Sequence, residues 1–334
     1  MCSGGNVWEW IMMGVLMRMA VSAACVITAE AGTFQNPLNS SADPWMGHAE
    51  GEYHLATTQG DCVKLWSAKS ITGLKDAKPL LIWSKGIGVW AAEFHRLQGK
   101  GGMRWYCYFT KTSGEDVKHR MFVMESRTDS IKGPYGEPKQ LATDSKDEFY
   151  AIDGNVFEHG GKMYFLWAGH PGHVLYISRM KDPMTLTGER VNIPASGFGC
   201  PEVREGPYVI EHDGRLFLTY SACDTGKPDY KVGYLWADAK ADPMKVKSWT
   251  QEAEPLLERS DANKVFGPGH HGFFKSPDGK EDWIVYHGKT TSEYTYRSRS
   301  TRAQKLEWDE KGYPRKVVPL GLEDTVPLPS GDPG

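Results

Sequence analysis

Three acidic residues stand at comparable places along the chain and could carry out acid–base chemistry together. Asp43 occurs in the sequence ADPW, Asp153 in IDGN and Glu205 in REGPY. One protonated and one ionised carboxyl group can protonate a leaving oxygen and activate a water molecule. Acidic side chains are rarely buried together without a task, because like charges repel in a low-dielectric cavity. If the fold brings these acids together, they indicate hydrolysis.

Each acid also has a structural explanation when it is taken alone. Asp43 could be a turn residue, as we expect for Asp182 and Asp242, which also precede proline. Asp153 could likewise belong to a turn, and Glu205 could form a surface ion pair. What distinguishes the three acids from ordinary turn and surface residues is that they occupy equivalent positions in a sequence repeat.

The acids share this position with two further residues, Glu93 and His270. Each of the five is followed, 10 to 13 residues later, by an aromatic residue in an apolar run after a Gly-containing turn. The five anchor residues are 50, 60, 52 and 65 residues apart. The aromatic residues are, in order, Tyr53, Tyr106, Tyr164, Phe217 and Trp283. Each unit is typical of a hairpin in a larger sheet.

The repeat predicts an all-β fold, a single-domain five-bladed β-propeller. Units of about 50 to 60 residues without a long helical period are typical of blades with roughly four strands. The first strand of every blade lies closest to the central axis, so equivalent positions in successive blades form a ring. We therefore expect the anchor residues to surround one central cavity.

Composition is that of a globular protein and excludes one class of partner. The 334 residues are 40% hydrophobic and 24% charged, which is ample material for a core. Aromatic residues make up 12% of the chain, which suits strands and sugar-stacking surfaces alike. The formal net charge is -3 and no basic run is present, which argues against nucleic-acid binding.

The first 31 residues are predicted to be a signal peptide. Residues 19–28 are apolar and follow Arg18, and the sequence AEA ends the segment with a small-x-small cleavage site. The apolar stretch is too short to span a bilayer. A basic region is missing before Met17, so the true start could be Met17. The mature protein is then a catalytic domain over 32–334 that is secreted or periplasmic and has no membrane span.

Four cysteines remain after this cleavage, and their spacing fits no zinc pattern. Cys200 and Cys223 fall in the same predicted blade and could form a disulfide in an oxidising compartment. Unpaired buried thiols are the alternative. The other two cysteines are Cys62 and Cys107.

The order of the blades predicts how the acids divide the work. Blades three and four are neighbours, so Asp153 should lie beside Glu205, while Asp43 in blade one is two blades away from both. A neighbouring carboxylate raises the pKa of Glu205, which makes it the general acid. Asp43, across the cavity, could activate water as the general base. Such a wide separation is the arrangement of an inverting glycosidase.

In their order and spacing, the segments ADPW, WAAE, IDG, REGP and GPGHHGF resemble glycoside hydrolase family 43, a family of five-bladed propellers. The resemblance covers residues 34 to 320. It implies that Asp43 is the general base, Asp153 the residue that modulates the pKa of the acid and orients the sugar, and Glu205 the general acid.

Further residues are implied by the resemblance and by their side chains. The resemblance implies that His270 lies near the floor of the cavity and could hold a structural calcium ion through water, and that Arg302 reaches the site from the last blade. Trp90 could stack on a sugar ring or pack in the core, and with Glu93 it completes the predicted substrate-binding residues. Ala92 stands where the family usually has proline. No other cofactor is expected.

Within the family, the segments GPGHHGFFKSPDGKEDWIVYHG and STRAQKLEWDEKGYP are most similar to secreted α-L-arabinofuranosidases, including exo-acting enzymes on 1,5-linked arabinan. The implied substrate is a plant cell-wall polysaccharide or an arabino-oligosaccharide. The alternatives within the family are a β-D-xylosidase or an endo-arabinanase. A propeller lectin that binds glycans without cleaving them is the non-enzymatic alternative, although a lectin needs no acid and base on opposite sides of a bond.

Overall fold

The structure is a computed structural model that describes residues 32–334. The predicted signal peptide, residues 1–31, lies outside the described residues. Helix is confined to three short 3₁₀ turns in the described part, Thr72–Lys75, Asp116–Lys118 and Val246–Ser248. None of the helical segments between residues 32 and 334 has the length and hydrophobicity that a transmembrane span requires.

The remaining elements are 22 β-strands, counted over the described residues, and five antiparallel sheets of them form the five blades of a propeller. Blade one contains β2 to β5, which span Trp45–Ala49, Glu52–Ala56, Val63–Ala68 and Leu80–Trp83. Blade two contains β6 to β9, which span Trp90–Gly99, Gly102–Lys111, Arg120–Glu125 and Lys139–Gln140. Blade three contains β10 to β14, which span Ala151–His159, Lys162–Gly169, Val174–Asp182, Thr185–Leu186 and Val191–Ile193.

Blade four contains β15 to β18, which span Arg204–His212, Arg215–Ala222, Lys231–Asp238 and Thr250–Gln251. Blade five contains β19 to β21, which span Phe266–Lys275, Asp282–Lys289 and Ser300–Leu306. The predicted all-β, five-bladed propeller is confirmed.

The two ends of the propeller domain meet at blade five. Strand β1 (Thr33–Gln35) pairs with β22 (Thr325–Pro327). Just after β1, the N–H of Leu38 donates to the carbonyl of Thr301 at 2.8 Å, and the N–H of Thr301 donates to the carbonyl of Asn39 at 2.8 Å. The N-terminal segment therefore pairs with β21, the last strand of blade five, and ties the beginning of the domain to its final blade.

The hydrophobic core lies between the blades. Five buried apolar clusters each combine side chains from two neighbouring blades, and together they account for all five interfaces. The five aromatic residues of the repeat are buried on the second strand of each blade, with no side chain more than 3% exposed. Fully burying a large apolar side chain contributes about 1.5 to 3 kcal/mol, so the repeated aromatics stabilise the ring itself.

Every innermost strand, or the segment that leads into it, contains at least one extra residue relative to its partner, and that of blade five contains two. In blade two, Trp90 faces Thr110 while Glu93 faces Tyr108, so three steps on the inner strand match two on its neighbour. The same irregularity occurs at Ile152–Asn155, Glu205–Tyr208 and Gly269–Gly272. In blade one, the carbonyl of Ala42 accepts from Thr58 while Trp45 faces Ala56. This is a β-bulge, a device that redirects side chains near active sites.

The residue after the start of each bulge has a left-handed backbone. The φ values are 55° at Asp43, 47° at Ala91, 57° at Asp153, 54° at Gly206 and 41° at His270. Only glycine adopts this conformation freely, although aspartate tolerates it better than most residues. The bulge of each blade thus presents two consecutive residues, the left-handed one and the one before it, at the same place in the ring.

Candidate active site

A cavity of about 590 Å³ lies where the five bulges meet. In each blade, the bulge presents a left-handed residue and the residue before it. Both of these residues line the cavity in blade three, and one of them does so in each of the other four blades. The lining residues are Asp43, Thr58, Trp90, Asp116, Tyr150, Ile152, Asp153, His170, His173, Val203, Glu205, Asp224, Thr225, His270, Tyr296 and Arg299. The three predicted acids and His270 therefore lie together in one cavity.

Asp43 is held by groups from blade five. Nη1 of Arg299 donates to Oδ1 of Asp43 at 2.9 Å. The backbone N–H of Asp43 donates to Nδ1 of His287 at 3.3 Å, and the other ring nitrogen of His287 lies 3.2 Å from the hydroxyl of Thr225. Burial lowers the pKa of His287 to about 4, so its imidazole is neutral and can accept this bond.

The surroundings of Asp43 keep its carboxyl group ionised. Burial alone would raise its pKa, but the positive charge of Arg299 and then that of His270 lower it, and the pKa of Asp43 falls well below its usual value. An ionised carboxylate that lines a cavity is what a general base requires.

Asp153 has the opposite electrostatic character. Its side chain is buried, and Oδ2 accepts a hydrogen bond from the N–H of Gly206 at 3.1 Å. Burial and the negative charges of Glu205 and Asp43 raise the pKa of Asp153 to about 7, although His270 opposes the shift. Asp153, Glu205 and His270 offer polar atoms that all lie within 4.8 Å of one another. The predicted proximity of Asp153 and Glu205 is confirmed.

Glu205 contacts two groups that the sequence did not point to. The hydroxyl of Tyr230 donates to Oε1 at 2.8 Å, and Nε2 of His173 lies 3.3 Å from Oε2. Burial raises the pKa of Glu205, but His173, His270 and the Tyr230 hydroxyl outweigh it, so that the pKa is lowered. The pKa of His173 is raised by the same contact, in spite of burial.

These shifts differ from the sequence-based prediction in one respect. We expected the repulsion between the two acids to leave the proton on Glu205, whereas here His173 favours the ionised form of Glu205 and Asp153 is the acid with the raised pKa. The two carboxyl groups are close enough to titrate as a pair. The proton that repulsion between the two carboxylates retains near neutral pH thus belongs to the pair. The pKa of His173, beside Glu205, is raised as well.

His270 lies between the acids. Its Nδ1 is 3.7 Å from Oδ1 of Asp43 and 3.7 Å from Oδ2 of Asp153. Burial lowers the pKa of His270. The negative charges of Asp43, Asp153 and Glu205 raise it by more than burial lowers it, so the net shift is upward. A positive imidazolium in this position offsets the repulsion between acids that face each other across the cavity.

The described residues contain one group of potential metal ligands, Asp153, Glu205 and His270, where the calcium ion was predicted. Calcium takes six to eight oxygen ligands, whereas the one group of potential ligands in the described chain offers two carboxylates and the His270 ring. Both carboxylates also accept hydrogen bonds from the protein, so a calcium ion held by these residues would take most of its ligands from water, in keeping with the predicted contact through water. The calcium ion stays a prediction, whereas the contacts of His270 with Asp43 and Asp153 are present in the structure.

Two predicted substrate-binding residues are corrected by the structure. Arg302 is fully buried, and its Nη1 donates to the carbonyl of Leu320 at 3.0 Å, away from the cavity. Arg299 is the arginine from blade five that reaches the cavity. The two residues are three positions apart, and alternation along an extended chain sends them to opposite sides.

Glu93 is the second correction. It does not line the cavity, and its Oε2 accepts from the amide of Asn155 at 2.5 Å and lies 3.1 Å from Nε2 of His95. The extra residue of the bulge explains the error, because Glu93 stands two positions after the left-handed Ala91. Trp90, one position before Ala91, lines the cavity instead, and its ring stacks on His119 with centroids 3.8 Å apart.

Cys200 and Cys223 form a disulfide, with Cα atoms 5.1 Å apart. It joins the segment that leads into β15, the strand of Glu205, to the segment that carries the lining residues Asp224 and Thr225. Cys62 and Cys107 are buried free thiols. The disulfide alternative is therefore confirmed, and it braces one wall of the cavity.

The arrangement has the parts of an acid–base site. A carboxylate held ionised by an arginine stands apart from a pair of carboxyl groups that retains a proton, and a cationic histidine lies between them. Such a site can activate water on one side of a bound molecule and protonate a leaving oxygen on the other.

Comparison with known proteins agrees with this geometry. The sequence model of Glycosyl hydrolases family 43 matches residues 34–314. The chain belongs to glycoside hydrolase family 43. This family 43 chain is 34% identical to an extracellular exo-α-(1→5)-L-arabinofuranosidase of Streptomyces avermitilis, over 91% of its own length and 68% of the relative's.

Two further similarities point the same way. An extracellular exo-α-(1→5)-L-arabinofuranosidase of Streptomyces chartreusis is also 34% identical and is covered over 92% of its length by 83% of the family 43 chain. Among solved structures, α-L-arabinofuranosidase from Lactobacillus brevis superposes with a TM-score of 0.80 at 28% identity, covering 87% of this chain and 98% of the other. The chain is thus a glycosidase.

Proposed function

We propose that the protein is an exo-acting α-L-arabinofuranosidase that releases terminal arabinofuranosyl residues from arabinan or arabino-oligosaccharides with inversion of configuration. The observation that carries the proposal is the contrast between Asp43, whose pKa is lowered by Arg299, and the Asp153–Glu205 pair, in which the pKa of Asp153 is raised to about 7. The family and the named relatives supply the substrate class.

In the proposed reaction, Glu205 donates a proton to the glycosidic oxygen as the bond from that oxygen to the sugar breaks. Asp43 removes a proton from a water molecule, whose oxygen attacks the anomeric carbon from the opposite face. Glu205 ends ionised and Asp43 protonated, and exchange with solvent restores both. Asp153 and His173 maintain the supply of protons next to Glu205, since each lies beside it and has a raised pKa.

Two predicted residues, His270 and Trp90, and the newly found Arg299 support this step. His270 stabilises the ionised Asp43 through its positive charge, and Trp90 provides an aromatic face in the cavity wall. Arg299 orients Asp43 by direct contact. Each of these roles concerns a side chain that lines the cavity.

We also propose that the protein acts outside the cytoplasm. The Streptomyces relatives are named extracellular, and the Cys200–Cys223 disulfide is of the kind that persists in oxidising compartments. The predicted signal peptide would direct this export. Sequencing the N-terminus of the exported protein tests the predicted cleavage before Gly32.

The substrate is tested by initial rates on 4-nitrophenyl α-L-arabinofuranoside and 4-nitrophenyl β-D-xylopyranoside, with product analysis on linear 1,5-arabinan. We expect a clear preference for the arabinofuranoside and arabinose as the first product from arabinan. A preference for the xyloside would favour the β-D-xylosidase alternative, and early oligosaccharide products would favour an endo-arabinanase. Binding without turnover would favour a lectin.

A further inference from the structure

The connection between β20 and β21 places two exposed tyrosines at the rim of the cavity. Tyr294 is 59% exposed and Tyr296 is 51% exposed, and they are the only exposed tyrosines among residues 32–334. Their rings lie edge to face with centroids 5.6 Å apart, and their hydroxyl oxygens are 2.7 Å apart. Single exposed apolar residues are ordinary, but two aromatic rings in fixed mutual contact beside a cavity form a surface.

A buried lysine fixes the backbone that carries these rings. Lys289 is fully buried, and its ammonium group donates to the carbonyls of Gly226, Glu293 and Thr295 rather than to a carboxylate. The N–H of Thr295 also donates to the carbonyl of Gly226, at 2.9 Å. Burying a cation is costly unless it is well hydrogen-bonded, so a lysine used in this way indicates that the position of the segment matters.

The same segment is connected to the proposed catalytic residues. Tyr296 lines the cavity, and its carbonyl accepts a hydrogen bond at 3.0 Å from Nε of Arg299, the residue that holds Asp43. The Tyr296 hydroxyl donates at 3.0 Å to Oδ2 of Asp224, which lines the cavity as well. The two rings therefore lie just outside the region where the acids are gathered.

The chemistry of this surface suits a sugar ring. Aromatic faces pack against the C–H groups of a furanose, and the two phenol groups and the Asp224 carboxylate can exchange hydrogen bonds with its hydroxyls. Tyrosine provides a large amphipathic contact area and loses little conformational entropy on binding. A rigid and exposed pair of tyrosines is thus suited to a polar ring that must bind and leave in every cycle.

We propose that Tyr294, Tyr296 and Asp224 form a binding site for a sugar unit on the leaving-group side of the cleaved bond. The site rests on the proposed function, because the terminal arabinose occupies the interior, where the acids are, and the rest of the oligosaccharide must pass over the rim. Chains with a sugar after the cleaved bond gain contacts with the tyrosines, whereas a substrate without that sugar gains none.

The test compares arabinotriose with methyl α-L-arabinofuranoside, two substrates that differ only in the group attached to the terminal arabinose. In Tyr294→Ala and Tyr296→Ala, we expect KM for arabinotriose to rise roughly 3- to 10-fold, with kcat within about twofold, because aromatic contacts of this kind contribute that order of binding. KM for the methyl glycoside should stay unchanged. Tyr296→Phe keeps the ring and should cause a smaller rise.

Met103→Ala is the matched control, because Met103 is exposed but does not line the cavity. Equal rises in KM on both substrates would assign the tyrosines to the interior of the cavity, and unchanged KM values on both would overturn the site. Calorimetric titration of arabinotriose into Glu205→Gln, with and without Tyr296→Ala, tests the site without turnover. An inactive wild type whose arabinotriose binding still depends on Tyr296 would contradict the proposed function and support the site.

Discussion

The backbone N–H of Gly206 donates a hydrogen bond to the Asp153 carboxylate at 3.1 Å. Gly206 directly follows Glu205, so Asp153 fixes the position of the backbone that carries the proposed acid as well as placing a charge beside it. The left-handed backbone of Gly206, with φ at 54°, is one that glycine adopts without strain. Asp153 therefore combines an electrostatic role and a positional role, and these can be separated by substitution.

Asp153→Asn keeps an oxygen that can accept the Gly206 hydrogen bond and removes the charge. Without that charge Glu205 titrates alone, with a pKa already lowered by His173, so the alkaline limb of the kcat/KM profile should move to lower pH and kcat should fall. The measurement is the pH–rate profile of the variant beside the wild type. An unmoved alkaline limb with near-normal kcat contradicts the modulator role.

The same substitution should change the pH dependence of stability. The pKa of Asp153 is about 7 in the folded protein against 3.8 for the free residue, so folding takes up a proton between these values and the folded state loses stability as pH rises from about 4 to about 7. Asparagine cannot ionise and escapes this loss. The Tm of Asp153→Asn relative to the wild type should therefore be higher at pH 8 than at pH 4.5. A uniformly lower Tm would instead indicate an ordinary turn aspartate.

Glu205→Gln removes the proposed proton donor and keeps the size of the side chain. Hydrolysis of an arabino-oligosaccharide, whose leaving oxygen needs a proton, should fall by roughly 10² to 10⁴-fold. The loss on an aryl arabinofuranoside with an activated leaving group should be much smaller. Steady-state rates on both substrates decide the matter, since equal losses would mean that Glu205 has a structural role.

Arg299→Gln removes the cation that contacts Asp43 at 2.9 Å. The positive charge of Arg299 is the largest of the effects that lower the pKa of Asp43, so this pKa should rise in the variant. Because the general base must be ionised, the acid limb of kcat/KM should move to higher pH. Arg297→Gln, an exposed arginine of the same segment, is the control and should leave the limb in place. The assignment of Asp43 as base fails if Arg299→Gln also leaves it in place.

The stereochemistry of the product tests the role of Asp43 independently. If Asp43 activates water, the first arabinose released from an α-linked substrate carries the β configuration. Proton NMR during the first minutes of hydrolysis distinguishes the anomers before mutarotation. Early accumulation of the α anomer would mean a covalent intermediate and a nucleophilic carboxylate.

Loss of the Cys200–Cys223 disulfide should lower stability. The bond spans 23 residues of sequence, and a closed loop of this size corresponds to roughly 3 kcal/mol in the chain-entropy model, or about 5 °C in Tm for a domain of this size. The double variant Cys200→Ser/Cys223→Ser should show this decrease. Dithiothreitol should lower the Tm of the wild type and leave that of the double variant unchanged.

The fold and the three acids could be predicted from the sequence because both derive from one repeat. Asp43, Asp153 and Glu205 each lie within one residue of the same place in a blade, and the buried aromatics mark the strands that surround them. The sequence could not show the extra residue of each bulge, and a displacement of two positions is enough to take Glu93 out of the cavity.

Residues outside the repeat were harder to find. Arg299 stands at the end of an irregular segment, where no period tells which side its side chain takes, and Arg302 was predicted in its place. His173 and Tyr230 come from connections between strands, and the strand pattern does not show where such side chains point. His173 reaches Glu205 from blade three, and Tyr230 reaches it from another part of blade four. Their contacts set the pKa of the acid, so the protonation of the site was the least predictable property.

The bulges also bear on how such a site can acquire new chemistry. Each blade offers the cavity two consecutive bulge residues that stand apart from the hydrogen-bonded ladder of the sheet. In blade two, the left-handed bulge residue is Ala91, whose side chain is only a methyl group. An acidic residue tolerates a left-handed backbone better than alanine does. A single change there could add a fourth acid to the ring of bulges, beside Asp43, Asp153 and Glu205, and leave the strands as they are. Evolution, or a protein engineer, can therefore vary the reactive groups blade by blade while the scaffold that holds them stays the same.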